Sequence, residues 1–155
     1  MERRKRIAVI VGQADEYYQS RFLTGFTAGA FALDMDVCVF SMYHKYQSTT
    51  DREQGEVNIF SLMRPEMFDG VVYLMDTVQS YENAQRLEDR LHDEFHMPVL
   101  VIELESKYFP SVQTRCFEAV DELVGHLIEV HGCKDIACLS GKRWHKHAID
   151  RMRAV

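Results

Sequence analysis

Three carboxylates and two tyrosines are the residues of this 155-residue chain best placed for chemistry. Asp15, Tyr17 and Tyr18 come shortly after the apolar run 7–11 and Gly12. Asp76 follows the run 71–75, and Glu103 follows the run 99–102. Runs this short and this uniformly apolar read as strands buried on both faces, as in a parallel sheet. In open α/β sheets, ligands are met outside the carboxyl ends of the strands. All five residues therefore belong to the end of the sheet where a ligand would sit. There, Asp15, Asp76 and Glu103 would accept hydrogen bonds from ligand hydroxyls or amines. A plainer reading stands beside each. Asp15 serves equally as a helix cap or a solvated charge, and one of the tyrosines as packing at the mouth of the loop.

Catalytic signatures are missing. The chain has no G-x-S-x-G elbow, no phosphate loop and no G-x-G-x-x-G after the first strand. No serine or cysteine stands at a strand end with a base near it in sequence. We therefore expect no catalytic residue, no cofactor and no enzyme activity. His145-Lys146-His147, with His126 and His131, invites a metal reading. Structural zinc sites show tighter pairing, so we expect no metal ligand. The local pair reads as solvated, and His126 as a packing residue inside a helix. Cys38, Cys116, Cys133 and Cys138 form no C-x-x-C pair and read as reduced thiols in a reducing compartment.

The formal charge is −6, which argues against an extended nucleic-acid surface on this chain. Glu2-Arg3-Arg4-Lys5-Arg6 reads as a solvated lead-in to the first strand. No apolar run approaches the roughly 20 residues that span a bilayer, and no signal-peptide pattern is present. The expected setting is the cytoplasm, away from membranes.

The elements that position these residues alternate. A helix is expected over 19–33, with Phe22, Phe26, Ala30 and Leu33 on one face. Gly25 and Gly29 beside that stripe would let it approach the sheet closely. A strand over 35–40 precedes a loop over 41–50. Thr50 or Asp51 would cap a helix running to 63, ended by Pro65. The strand at 71–75 precedes a helix capped by Ser80 and reaching 95. Ala84, Leu87, Leu91 and Phe95 mark its apolar face; Glu82, Arg86, Glu88, Asp89 and Arg90 its solvated one. After the strand at 99–102, Val112 sits in a short extended piece. A helix over 117–131 would end at Gly132. A strand at 136–139 and a last helix from 147 follow. Such alternation predicts an α/β fold with a parallel, Rossmann-like sheet and right-handed crossovers. The first four strands are expected in the order 2-1-3-4, and 136–139 in a different sheet.

Five segments carry a family resemblance, running through nearly the whole chain. They are Ala14-Asp15-Glu16-Tyr17-Tyr18; Phe68-Asp69-Gly70-Val71-Val72; Met97-Pro98-Val99-Leu100-Val101-Ile102-Glu103; Gly125-His126-Leu127-Ile128-Glu129 with Gly132 and Ile136-Ala137; and Ala148–Arg151 with Ala154. In this order and spacing they resemble the effector-binding core of lactose-repressor-type regulators and sugar-binding periplasmic proteins. The resemblance implies a periplasmic-binding-protein-like type I fold of two lobes. Residues 1–112 would form the first lobe and 113–155 the start of the second, left incomplete. It implies that Tyr17 or Tyr18 stacks on a sugar or base ring, and that Arg151 contacts an anionic or polar effector. Two positions depart from the pattern: Thr114-Arg115 replaces Asp-Asn, and Leu104 replaces an arginine. Both point away from a simple sugar. Only about six residues precede the first strand, so a helix-turn-helix is not expected there. The implied role is a sensor of a sugar- or nucleoside-like small molecule, closing by hinge motion. It would pass the change to an output module beyond residue 155, such as a diguanylate cyclase or a kinase. The alternatives are a transcription regulator core separated from its DNA-binding segment, or an α/β enzyme of flavodoxin-like type. The expected partners are the small-molecule effector and a second copy through the first lobe, with no direct nucleic-acid contact.

Overall fold

The computed structural model describes residues 3–43, 50–78, 80–114, 116–139, 141 and 146–155. Expectations for Glu2, most of the 41–50 loop, Arg115 and His145 lie outside the described residues. The chain divides into two compact units, Met1–Val112 and Gln113–Val155.

The first unit is built on a five-stranded parallel sheet of order β2-β1-β3-β4-β5. The strands are β1 (Arg6–Gly12), β2 (Asp36–Met42), β3 (Gly70–Leu74), β4 (Val99–Ile102) and β5 (Ser111–Val112). β1 and β3 lie inside the sheet, and Ala8, Val9, Ile10 and Val11 are fully buried. That central position is why their sequences are apolar without alternation. Helix α1 (Tyr17–Ala32) packs Phe22 and Phe26 on the face formed by Val9, Val11, Val72 and Leu74. The other face carries Ile10, Val71 and Tyr73. Val57 of α2 (Thr50–Val57) and Leu87 and Leu91 of α3 (Tyr81–Glu94) cover it. Ser80 caps α3, its hydroxyl accepting from the Asn83 N–H at 3.3 Å. The basic lead-in is tied down: Arg3 pairs with Asp69 at 3.1 Å, and Arg4 with Asp34 and Asp36.

Several expectations change. α1 begins two residues early, so Tyr17 and Tyr18 occupy its first turn rather than a loop. β2 extends to Met42, absorbing the start of the expected loop. The piece containing Val112 is a true edge strand on β4. Leu33 is 70% exposed, beyond the end of α1 in the turn that leads into β2. Gly25 and Gly29 face open space, so they do not serve close approach to the sheet. Glu88 is buried rather than solvated. Its carboxylate accepts from Ser106 Oγ at 2.5 Å and from the Lys107 N–H at 2.9 Å. These two bonds supply what a buried charge needs and pin the loop before β5.

The second unit holds α4 (Cys116–Glu129) and α5 (Lys146–Arg153). Gly132 follows α4 at φ 66°, and its N–H returns to the Ile128 carbonyl at 3.1 Å. The strand expected at 136–139 does not form, and Cys138 is therefore not a strand residue. No ladder partner is present for it among the described residues. A lone strand would leave its N–H and C=O groups to water, and Leu139 is correspondingly 98% exposed. Buried hydrophobics in this unit are Val124, Ala148 and Ala154, while Leu123, Ile128, Val130 and Met152 are exposed. His126 is also exposed, not a packing residue, because it falls outside the stripe around Val124. Cys38, Cys133 and Cys138 are free thiols.

Two outcomes follow from these burial patterns. Amide exchange measured residue by residue should be slowest in β1 and β3 and faster throughout α4 and α5, since protection follows buried contacts. Equal protection would mean that the second unit is as well packed as the first. Gly25→Ala and Gly29→Ala should each raise the free energy of unfolding by about 0.5–1 kcal/mol. A shift of the urea midpoint at constant slope measures this. A loss of stability would show that these positions are not open.

Candidate functional site

At the carboxyl end of β1, Gly12 meets the short turn Met75–Thr77 that follows β3. The Gly12 N–H donates to Thr77 Oγ1 at 2.8 Å, and that hydroxyl donates to the Leu74 carbonyl at 2.6 Å. A Cβ on Gly12 would lie 2.2 Å from the Thr77 carbonyl oxygen, so no other residue fits. Gln19 of α1 donates to the Gly12 carbonyl at 3.2 Å, and the Ala14 N–H donates to Ser41 Oγ at 3.2 Å. The ends of β1, β2 and β3 and the start of α1 are thus bound into one frame, and Asp76 is carried on it. Gln13 at the end of β1 has φ 53°, and Glu103 at the end of β4 has φ 71°. Such left-handed backbone is uncommon outside glycine and clusters where function holds it in place.

Tyr18, Asp76 and Glu103 come together at this end of the sheet. The Tyr18 hydroxyl donates to Glu103 Oε1 at 3.2 Å. Glu103 is only 6% exposed, and its own N–H donates to the Val112 carbonyl at 2.8 Å. Asp76 Oδ1 is buried and has no hydrogen-bond partner. Burial, and next the negative charge of Glu103, push the Asp76 carboxyl up to about 7. The backbone N–H groups of Asp76 and Thr77 pull weakly the other way. Tyr18 is held far above the ordinary phenol range, by burial first and then by Glu103 and Asp76. Its hydroxyl therefore stays a donor throughout the physiological range.

Two other expected residues of the first unit, Asp15 and Tyr17, are not part of that cluster. Asp15 is exposed in the turn before α1, and Tyr17 is 81% exposed in the first helical turn. Arg151 belongs to the second unit, on α5, with an exposed side chain. Thr77 and Gln19, which build the frame, carry no signal in the sequence that singles them out.

No family model matches the chain, and no curated protein matches it. Solved structures do. A LacI family transcriptional regulator, CCPA, from Weissella paramesenteroides with bound sucrose superposes with TM-score 0.71 at 15% identity. The match covers 97% of this chain and 53% of that one. An ABC sugar transporter subunit from Rhodobacter sphaeroides gives 0.73 at 12% identity, over 96% of this chain and 51% of that one. A lac repressor dimer bound to operator and the anti-inducer ONPF gives 0.70 at 17%, over 99% and 50%. The fold is periplasmic-binding-protein-like, type I. The chain spans about half the length of these structures. Those neighbours of the same fold are regulators and a transporter subunit. Among the described residues, no helix is long and apolar enough to cross a membrane.

The raised Asp76 pKa has a sign that can be measured. A carboxyl near 7 in the folded state, against 3.8 ordinarily, binds its proton more tightly when folded. The stability this lends is full below about 4 and is lost as pH rises through about 7. The melting temperature of Asp76→Asn, relative to the parent, should therefore climb between about pH 4 and pH 8 and then level. A difference that is flat with pH would mean that Asp76 titrates as an ordinary carboxyl.

Proposed function

We propose that this chain is the effector-binding core of a ligand-responsive transcription regulator. The Tyr18–Asp76–Glu103 cluster meets a small, donor-rich effector of the sugar or nucleoside class. One observation carries the reading. Two carboxylates, one with a buried and unpartnered oxygen, are held at the carboxyl ends of adjacent parallel strands. Such a group favours ligand hydroxyls or amines that complete its hydrogen bonding. Bound sucrose in one structural neighbour, and bound operator in another, favour a regulator over a sensor driving an enzymatic output module. In this reading Asp15 and Tyr17 form the exposed rim, and Arg151 is an effector contact on the family resemblance alone. Residues 1–112 act as the first lobe and 113–155 as the beginning of the second, in the cytoplasm and without catalysis. DNA contact belongs to a segment other than these acidic residues. Pairing with a second copy would use the first unit, where Phe31 and Leu33 are exposed.

Calorimetric titration with glucose, sucrose and adenosine tests the reading. At least one should bind. Glu103→Gln and Tyr17→Ala should each weaken that binding by at least about tenfold, the value of one charged or well-formed contact. The melting temperature should change little. A parent chain that binds none of the probes overturns the ligand class. Unchanged affinity in both variants overturns the site.

A further inference from the structure

We propose that His126 and His131 form a two-imidazole chelate for a late first-row divalent metal ion of the zinc, copper or nickel group. The Nε2 atoms of the two rings stand 3.1 Å apart, with ring centroids at 4.9 Å and planes at 76°. Two imidazoles bound at about 2.0–2.1 Å stand roughly 2.9 Å apart as octahedral neighbours and roughly 3.3 Å apart on a tetrahedral ion. The observed spacing falls between these, so one ion can reach both lone pairs without movement of the backbone.

Residues five apart do not normally meet on a helix; regular geometry sets them about 140° apart around the axis. Here α4 ends at Glu129, but the Val130 N–H still bonds the His126 carbonyl at 3.0 Å and the Gly132 N–H the Ile128 carbonyl at 3.1 Å. His131, between them, is thereby held over the last turn, where its ring meets that of His126. Both side chains are exposed, so a metal has access. The helix carboxyl end carries partial negative charge, and Glu122 and Glu129 lie one turn either side of His126 in sequence. Both favour a cation. No third histidine, cysteine or carboxylate joins the pair among the described residues, so water completes the coordination. Without metal, a neutral pair at this distance shares one N–H···N bond. On binding, the donating ring moves that proton to its Nδ1, both Nε2 lone pairs turn to the ion, and no proton is lost overall. The ion would then clasp the end of α4.

Zn²⁺ titrated into the whole chain, followed by long-range ¹H–¹⁵N spectra of the histidine rings, tests this directly. The Nε2 signals of His126 and His131 should move together and saturate at one equivalent, while Mg²⁺ moves neither. By calorimetry, His126→Ala and His131→Ala should each weaken that site by at least about tenfold, and His92→Ala should leave it intact. The proposal fails if neither signal moves at about tenfold excess of Zn²⁺. It fails equally if either alanine variant keeps the parent affinity. The spectra of the parent chain decide the matter even where a variant folds poorly.

Discussion

The contact between Gly12 and Thr77 is the constraint on which the rest of this end of the molecule depends. β1 lies inside the sheet between β2 and β3, and its last residue must touch the turn that leaves β3. With no side chain at Gly12, the Thr77 carbonyl and hydroxyl close over the strand end. A hydrogen bond that satisfies a buried N–H is worth more through the penalty it avoids than through its own strength. The same turn carries Asp76, so the position of that carboxylate is inherited from the strand packing rather than from its own contacts.

What the frame holds is electrostatically uncomfortable. Asp76 and Glu103 are both withdrawn from water, and the Tyr18 hydroxyl donates to Glu103. A core built only for stability would pair or remove such groups. Sites for ligands keep them, because a ligand's donors meet less competition from water there. Glu103 also holds left-handed backbone. Its geometry is secured on both sides, by β4 and by the N–H bond to Val112.

The two units reach order by different means. In the first, a sheet covered on both faces buries continuous apolar strands and the α3 stripe. In the second, two helices bury three hydrophobic residues among those described, and local backbone bonding at Gly132 shapes the end of α4. The first rests on a paired sheet with both faces covered, the second on α4 packed against α5 and on local bonding at the end of α4.

That contrast also separates what could be read from the residues alone. Runs such as 7–11, 71–75 and 99–102, the Ser80 cap and the Gly132 stop depend on neighbours in sequence. They determined the strands, most helix boundaries, the parallel order and the carboxylates placed at the strand ends. Glu88 and Leu33 went the other way, because burial depends on which loop or sheet edge lies across a helix face. The 136–139 run is apolar enough for a strand, yet a strand exists only where another offers its hydrogen bonds. Pattern alone could not show that Tyr18, Asp76 and Glu103 meet, that Thr77 locks Gly12, or that His131 meets His126. Each of these is a distance between residues set by the path of the chain through space. Local propensity and periodicity carry no information on that path, so only the tertiary structure decided them.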